Sequence, residues 1–185
     1  MKSLINFTII ALIIAAAPIK SFSQEQKAAS NIKWYDFKKG VELNDKKPKK
    51  IFIDMYTDWC GWCKRMDQTT FTNPVIAKYM NDEFYPVKFN AERRDTLVFQ
   101  GKTFVNPDPT KPRSPHQLAQ SLLQGRMSYP SIVFLNEKNE VITVLPGYRK
   151  PSELEAVLHY IAEDAYKTMK WEDFMGTFKG SAKDQ

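Results

Sequence analysis

Short unbroken apolar blocks alternate along this chain with longer stretches in which apolar residues recur every three or four positions, the alternation expected of strands and amphipathic helices. Asn31 to Val41 carries Ile32, Trp34, Phe37 and Val41 and reads as an N-terminal packing element; a short strand running into a helix is one reading, which periodicity does not settle. Ile51 to Tyr56 is an apolar run after a polar, Pro-containing loop, as expected of a central strand buried on both faces. Thr57-Asp58-Trp59 turns the chain, and Cys60, Cys63, Lys64, Met66 and Asp67 suit a helix with Asp58 as its capping candidate. Asn73-Pro74 starts a second helix with Val75, Ile76, Tyr79 and Met80 on its apolar face. Phe84 to Phe89 returns as a strand.

Thr96 to Val105 reads as a small hairpin around Gln100-Gly101-Lys102, and Asn106 to Pro115, with four prolines, as a loop. Pro115 then suits the first position of a helix capped by Ser114, with Leu118, Leu122 and Leu123 inward and Gly125 at its end. Tyr129-Pro130 interrupts the chain before the strand Ser131 to Leu135. Asn136 to Asn139 turns it into a partner strand, Val141 to Leu145, which stops at Pro146-Gly147. Ser152 and Glu155 have capping-box spacing ahead of Leu154, Val157, Leu158, Ile161 and Ala165; Trp171, Phe174, Met175 and Phe178 predict a last amphipathic turn packed on the domain before a polar tail. The order strand, helix, strand, insertion, helix, hairpin, helix implies an α/β fold: a mixed central sheet flanked by helices.

The N-terminal pattern sets the compartment. Lys2 precedes the apolar stretch Leu4 to Ala17, too short for a comfortable bilayer span and followed by small and polar residues, so residues 1–23 read as a secretory signal peptide. Ser21 and Ser23 define a cleavage point before Gln24, Ala15 and Ala17 an earlier one, and an uncleaved membrane anchor is the alternative. The absence of a nearby cysteine excludes a lipid-anchored one. The mature chain divides into an N-terminal extension (24–47), a domain (48–169) with an insertion at about 92–114, and a C-terminal helical turn and tail (170–185). Losing Lys2 and Lys20 takes the formal net charge from +6 to +4, and the densest basic run, Lys46, Lys47, Lys49 and Lys50 around Pro48, reads as a solvated turn, not a nucleic-acid patch.

Two cysteines only, separated by two residues, change the picture further. An exported protein stabilised by disulfides spreads several along its chain, whereas this bridge closes almost no loop and adds little unfolded-state entropy loss. A zinc site needs two more ligands, and His116 and His159 fall on separate predicted helices, so metal binding is the weaker reading and no cofactor is implied. Thiol–disulfide exchange fits better. A thiolate at a helix N-terminus is stabilised by free amides and the dipole, which makes Cys60 the nucleophile; Cys63, one turn deeper, resolves the mixed disulfide.

Trp59-Cys60-Gly61-Trp62-Cys63-Lys64, Asp54 six residues before Cys60, Lys88 in Val87-Lys88-Phe89-Asn90, Tyr129-Pro130-Ser131 and Gly147 together resemble the thioredoxin superfamily over roughly residues 48 to 163. Asp54 to Cys60 and Thr70-Phe71-Thr72-Asn73-Pro74-Val75 look most like the periplasmic reductase domain of the transmembrane disulfide reductase and its relatives, which carry an insertion ahead of the cis-proline. Trp62 replaces the thioredoxin proline, and Tyr129 is bulkier than the residue often found before the cis-proline. The resemblance implies a thioredoxin fold in which Cys60 and Cys63 form a redox-active disulfide. Asp54 is then a general base for Cys63 tuned by Lys88, or alternatively half of a buried ion pair with it. Trp59, Gly61, Trp62, Tyr129 and Pro130 would contact substrate, Trp59 either at the rim or beneath the helix, and a cis bond would leave the Tyr129 backbone open to an extended substrate strand. The function implied is reduction of extracytoplasmic protein disulfides, periplasmic or secreted, with a membrane-embedded thiol donor and no nucleic acid; a binding module or chaperone, or an oxidase or isomerase, are the alternatives. No oligomeric state is assigned by the sequence.

Overall fold

The computed structural model describes residues 31–184; the signal-peptide reading of 1–23 and the first part of the N-terminal extension lie outside the described residues. Four strands form the central sheet: β1 (Ile51–Tyr56), β2 (Tyr85–Asn90), β5 (Ser131–Leu135) and β6 (Val141–Pro146), in the order β2-β1-β5-β6. β1 pairs parallel with β2 and antiparallel with β5, and β5 pairs antiparallel with β6, so the sheet is mixed and β1 is interior. A two-stranded hairpin, β3 (Leu97–Phe99) and β4 (Lys102–Phe104), lies in the insertion; Gln100 and Gly101 make its turn with φ of 50° and 73°. That left-handed pair is what a tight hairpin connection requires, and glycine supplies half of it at no steric cost.

Strand periodicity assigns the two faces. Ile51, Ile53 and Met55 of β1 join Val87, Phe89, Val133 and Leu135 in one cluster, covered by α1 (Phe37–Lys46), the insertion hairpin and α4 (Gln117–Leu122). Phe52 faces the other way with Ile132 and Phe134, into a cluster closed by α2 (Gly61–Gln68), α3 (Pro74–Glu83) and α5 (Pro151–Ala162). Asp54 shares the parity of Phe52 and therefore lies on the α2 side. α1 presses close to β2: a Cβ on Gly40 would run into Val87 Cγ2. Tyr35 bridges to Val87 just before α1, so the N-terminal packing element is a single-residue strand leading into a helix.

Several caps differ from expectation. Asp58 does not cap α2; its Oδ1 accepts from Asn90 Nδ2 at 3.1 Å, and Cys60 is the N-cap residue. Ser114 does not cap α4 either, because Asn106 Oδ1 takes its hydroxyl at 2.7 Å; His116 is the cap, its Nδ1 accepting from Leu118 N, so His116 precedes the helix and does not lie on it. α5 begins two residues earlier than a Ser152 cap implies. Pro151 is its first residue and Glu153, not Glu155, reaches back to Lys150 N at 3.1 Å. Glu155 is buried instead and accepts from Ser181 N and Ala182 N, while Asp184 accepts from Ser152, so the tail is fastened to α5. Lys50 also departs from the solvated-turn reading: its side chain is buried and its ammonium meets Glu137 and Asp164, each at 2.9 Å, because a buried cation needs such partners. α6 (Trp171–Thr177) packs Phe174 against Tyr160 as the last amphipathic turn. Among the described residues no helix is long and apolar enough to cross a membrane.

Candidate active site

The chain leaves the carboxyl end of β1, turns at Thr57–Trp59 and enters α2, so whatever caps that helix is held at the sheet's rim. Cys60 N donates to Thr57 O at 3.1 Å, which closes the turn, and Cys63 N donates to Cys60 Sγ at 3.0 Å. The sulfur therefore occupies the position of an N-cap oxygen, where unpaired helix amides favour negative charge. One helical turn brings Cys63 back to it: the two Cα atoms are 5.3 Å apart and the sulfurs are bonded. Both cysteines are buried, at 4% and 3% exposure, between Trp59 and Trp62, which are 49% and 63% exposed. Trp59 is thus at the rim and not beneath the helix. Nothing approaches within 4 Å of where a Gly61 Cβ would stand, so the space above the pair is open.

The Tyr129–Pro130 peptide is cis, and the Tyr129 ring meets Trp59 edge-on at 5.9 Å. Gly147 N donates to Pro130 O at 2.7 Å, joining this loop to the end of β6; Gly147 has a φ of 90°, which disfavours other residues. On the opposite flank Trp62 tilts against Tyr148 at 5.5 Å, over an open groove of about 690 Å³ that Arg65 and Lys150 also line. A more apolar cavity of about 420 Å³ between β6, α5 and α6 is lined by no thiol and no carboxylate.

Beneath α2, the parallel register sets Asp54 opposite Lys88. Lys88 Nζ donates to Asp54 Oδ2 at 2.6 Å and also to Asp67, one turn beyond Cys63 on the same helix. Asp54 is fully buried, and desolvation pushes its carboxyl from 3.8 up to about 6 against the pull of Lys88. Its Oδ1 has no hydrogen-bond partner among the described residues and is free to accept a proton. Burial disfavours the Lys88 charge, but Asp54 and Asp67 outweigh that and hold its pKa above the usual lysine range. The rings of Trp34, Tyr56 and Phe71 surround the same ammonium at 4.9 to 5.2 Å, a cation–π contribution to its retention.

The structure thus brings Cys60, Cys63, Trp59, Gly61, Trp62, Tyr129 and Pro130 to one rim, with Asp54 and Lys88 as an ion pair on the α2 side of the sheet. Sequence reasoning missed Asp67, although its i, i+4 relation to Cys63 marks it as sharing that face. It missed Glu92, whose Oε1 accepts from Trp59 Nε1 at 2.7 Å, and Arg113, whose guanidinium lies 4.8 Å from the Trp59 ring centroid. Neither carries a local signal. Among the described residues no cluster of His, Cys, Asp or Glu is placed to hold a metal ion.

A family model described as a thioredoxin-like domain matches residues 37–162. An uncharacterised protein of Archaeoglobus fulgidus is 27% identical over 85 residues, 46% of this chain and 65% of that protein. The thiol:disulfide interchange protein DsbD of Haemophilus influenzae is 26% identical over 122 residues, 64% of this chain but 18% of DsbD. The chain therefore spans less than two thirds of the length of either relative. Among solved structures, a thioredoxin from Thermus thermophilus superposes with a TM-score of 0.51 at 16% identity, covering 71% of this chain and 87% of that one, a likeness of fold.

Proposed function

The chain belongs to the thioredoxin-like domain family, and from that premise we propose that it is an exported thiol–disulfide oxidoreductase acting as a reductase of extracytoplasmic protein disulfides. The observation that carries this reading is the Cys60–Cys63 pair at the N-terminus of α2, its outer sulfur accepting the Cys63 amide, between two exposed tryptophans. The similarity to the thiol:disulfide interchange protein DsbD supports the exchange chemistry, and the leader-like pattern of residues 1–23 supports the export.

In the reduced protein the Cys60 thiolate, stabilised by the Cys63 amide and the helix dipole, attacks one sulfur of a client disulfide. A Cys60–client bond forms and the client's other sulfur leaves as a thiolate. Asp54 takes the proton of the Cys63 thiol; a carboxyl with its pKa near 6 is charged at neutral pH yet basic enough to do so. The Cys63 thiolate then attacks Cys60 Sγ and expels the second client thiolate, leaving the Cys60–Cys63 disulfide present in this structure. Two electrons have moved from the dithiol to the client, and a membrane-embedded thiol donor restores the pair. Trp59, Gly61, Trp62, Tyr129 and Pro130 form the surface against which the client segment lies, with the Tyr129 backbone as its strand-pairing edge.

Insulin reduction by the dithiol-loaded protein tests the activity, and alkylation trapping in cells tests the direction. We expect turnover of insulin and a predominantly reduced pair at steady state. Absence of turnover would leave a binding module, and a predominantly oxidised pair would leave an oxidase or isomerase.

A further inference from the structure

The insertion before α4 contributes something that the exchange chemistry alone does not require. Its loop is braced internally: Asn106 Nδ2 donates to Ser114 O at 2.8 Å and to Arg93 O at 3.2 Å, Ser114 Oγ donates to Asn106 Oδ1, and His116 N donates to Ala91 O at 2.7 Å. Asn106, Ser114 and His116 are all buried, so the exposed segment they bracket is held at both ends. Arg113 stands at the end of that segment in the left-handed region, φ 62°, which carries its guanidinium over the exposed ring of Trp59. Trp59 immediately precedes the nucleophile.

The charge pattern around this contact is uneven. Arg93 is saturated by Asp36 and Asp95. Among the described residues, Arg94, Lys111 and Arg113 form no ion pair, although all three line the same polar cavity of about 320 Å³ beside Trp59. The two carboxylates of that cavity are engaged by neutral donors: Glu92 by the Trp59 indole N–H and Asp58 by the Asn90 amide. A guanidinium stacked on an aromatic face keeps the donors at its edge available, and its fork matches a carboxylate. Trp59 is exposed and immediately precedes Cys60, so a client chain that reaches Cys60 across Trp59 comes within reach of that fork.

We propose that Arg113 is a specificity-determining residue that favours client polypeptides with a carboxylate side chain next to the attacked cysteine. The inference rests on the oxidoreductase reading above and adds the substrate class to it. Because the contact is solvent-exposed, its effect is a preference of a few fold that weakens with salt, not an absolute requirement.

The test uses the full-length mature protein and three disulfide-linked peptides differing only in a Glu, Gln or Lys beside the cysteine, together with the uncharged disulfide of mercaptoethanol. For the wild type we expect kcat/KM to fall from Glu to Gln to Lys, about fivefold overall at low ionic strength. Arg113→Gln should bring the ratio to about one and Arg113→Glu should invert it, while both variants reduce the mercaptoethanol disulfide at the wild-type rate. A Glu-to-Lys ratio that Arg113→Gln leaves unchanged overturns the proposal. So does an equal loss on all four substrates, which would make Arg113 a support of the site's structure. Wild-type protein that reduces none of the four overturns the oxidoreductase reading and this inference with it, an outcome distinct from a charge-blind but active enzyme.

Discussion

Lys88 donates to Asp54 Oδ2 at 2.6 Å and also to Asp67, so a single ammonium joins a fully buried carboxylate to an exposed one on the helix of the cysteines. The base reading and the ion-pair reading of Asp54 are therefore not exclusive. The pair lowers the cost of the buried charge without removing it, since the Asp54 carboxyl still titrates near 6.

Asp54→Asn should consequently stabilise the fold and slow the chemistry. A carboxyl raised from 3.8 to about 6 implies a cost on the order of 3 kcal/mol for holding the charged form at pH 7. The amide removes that cost but leaves Lys88 with Asp67 alone, so the net gain should be smaller, about 1–2 kcal/mol by denaturant melts at pH 7.5. The sign in pH follows from the raised value: the folded state binds the proton more tightly, so the wild type gains stability relative to the variant as pH falls from about 6 toward 4. Resolution of a trapped mixed disulfide should slow at least tenfold at pH 7. An unchanged rate would remove Asp54 from the mechanism, and a loss of stability would make the ion pair its main role.

Asp67 acts on the same network from outside. Its charge raises the Asp54 value and shares the Lys88 ammonium. Asp67→Asn should therefore give Lys88 wholly to Asp54 and move the acid limb of the pH–rate profile for resolution to lower pH, with stability changed by less than about 1 kcal/mol because the carboxylate is exposed. A profile that stays in place would confine Asp67 to a surface contact.

The order of the elements was legible because β1, apart from Asp54, and β5, after Ser131, are apolar runs and the helices between them carry i, i+3, i+4 apolar faces; Asn73 with Pro74 marked the start of α3 correctly, its Oδ1 accepting from Val75 N. Caps were legible only where no longer-range partner competes. Asp58, Ser114 and Ser152 are all good capping residues, yet Asn90, Asn106 and Asp184 claim their side chains instead. Lys50 looked like one more surface lysine because its partners, Glu137 and Asp164, are remote in sequence. The same reason hid Arg113: a cation–π contact between an insertion and the redox turn leaves no periodic trace in either segment.

The two cysteines should divide their roles by position. Cys60 caps the helix and receives the Cys63 amide, whereas Cys63 lies within the first turn. Cys60→Ser should abolish insulin reduction, and Cys63→Ser should accumulate mixed disulfides with client proteins on non-reducing gels, because the bond to Cys60 forms but is not resolved. Faster alkylation of Cys63 than of Cys60 in the reduced protein would reverse the assignment.

His116 provides a pH response of the opposite sign, located just after the insertion at the cap of α4. As a neutral ring its Nδ1 accepts from Leu118 N at 3.1 Å and its Nε2–H donates to Asp95 O at 2.9 Å, so both nitrogens are used and protonation would cost the helix its cap. Burial lowers the imidazole's pKa below the usual 6.5, helped by Arg93 and opposed by the Asp95 backbone and side chain. The unfolded ring then takes up its proton first as pH falls. Stability supplied by the neutral ring is complete above about 6.5 and drains away below it, levelling only under the lowered folded value. Asp54 contributes a trend of the other sign over an overlapping range, so the comparison is cleanest with Asp54→Asn as the parent. In that background, thermal unfolding between pH 7.5 and 5 should show stability falling with pH, and adding His116→Asn should flatten the curve: asparagine keeps an acceptor for Leu118 N but has nothing to protonate. A double variant that keeps the full slope would place the titration elsewhere than His116. If the slope disappears while insulin reduction at pH 7.5 stays at the level of the Asp54→Asn parent, the brace at the start of α4 and the redox pair are separable, as their different sets of hydrogen bonds require.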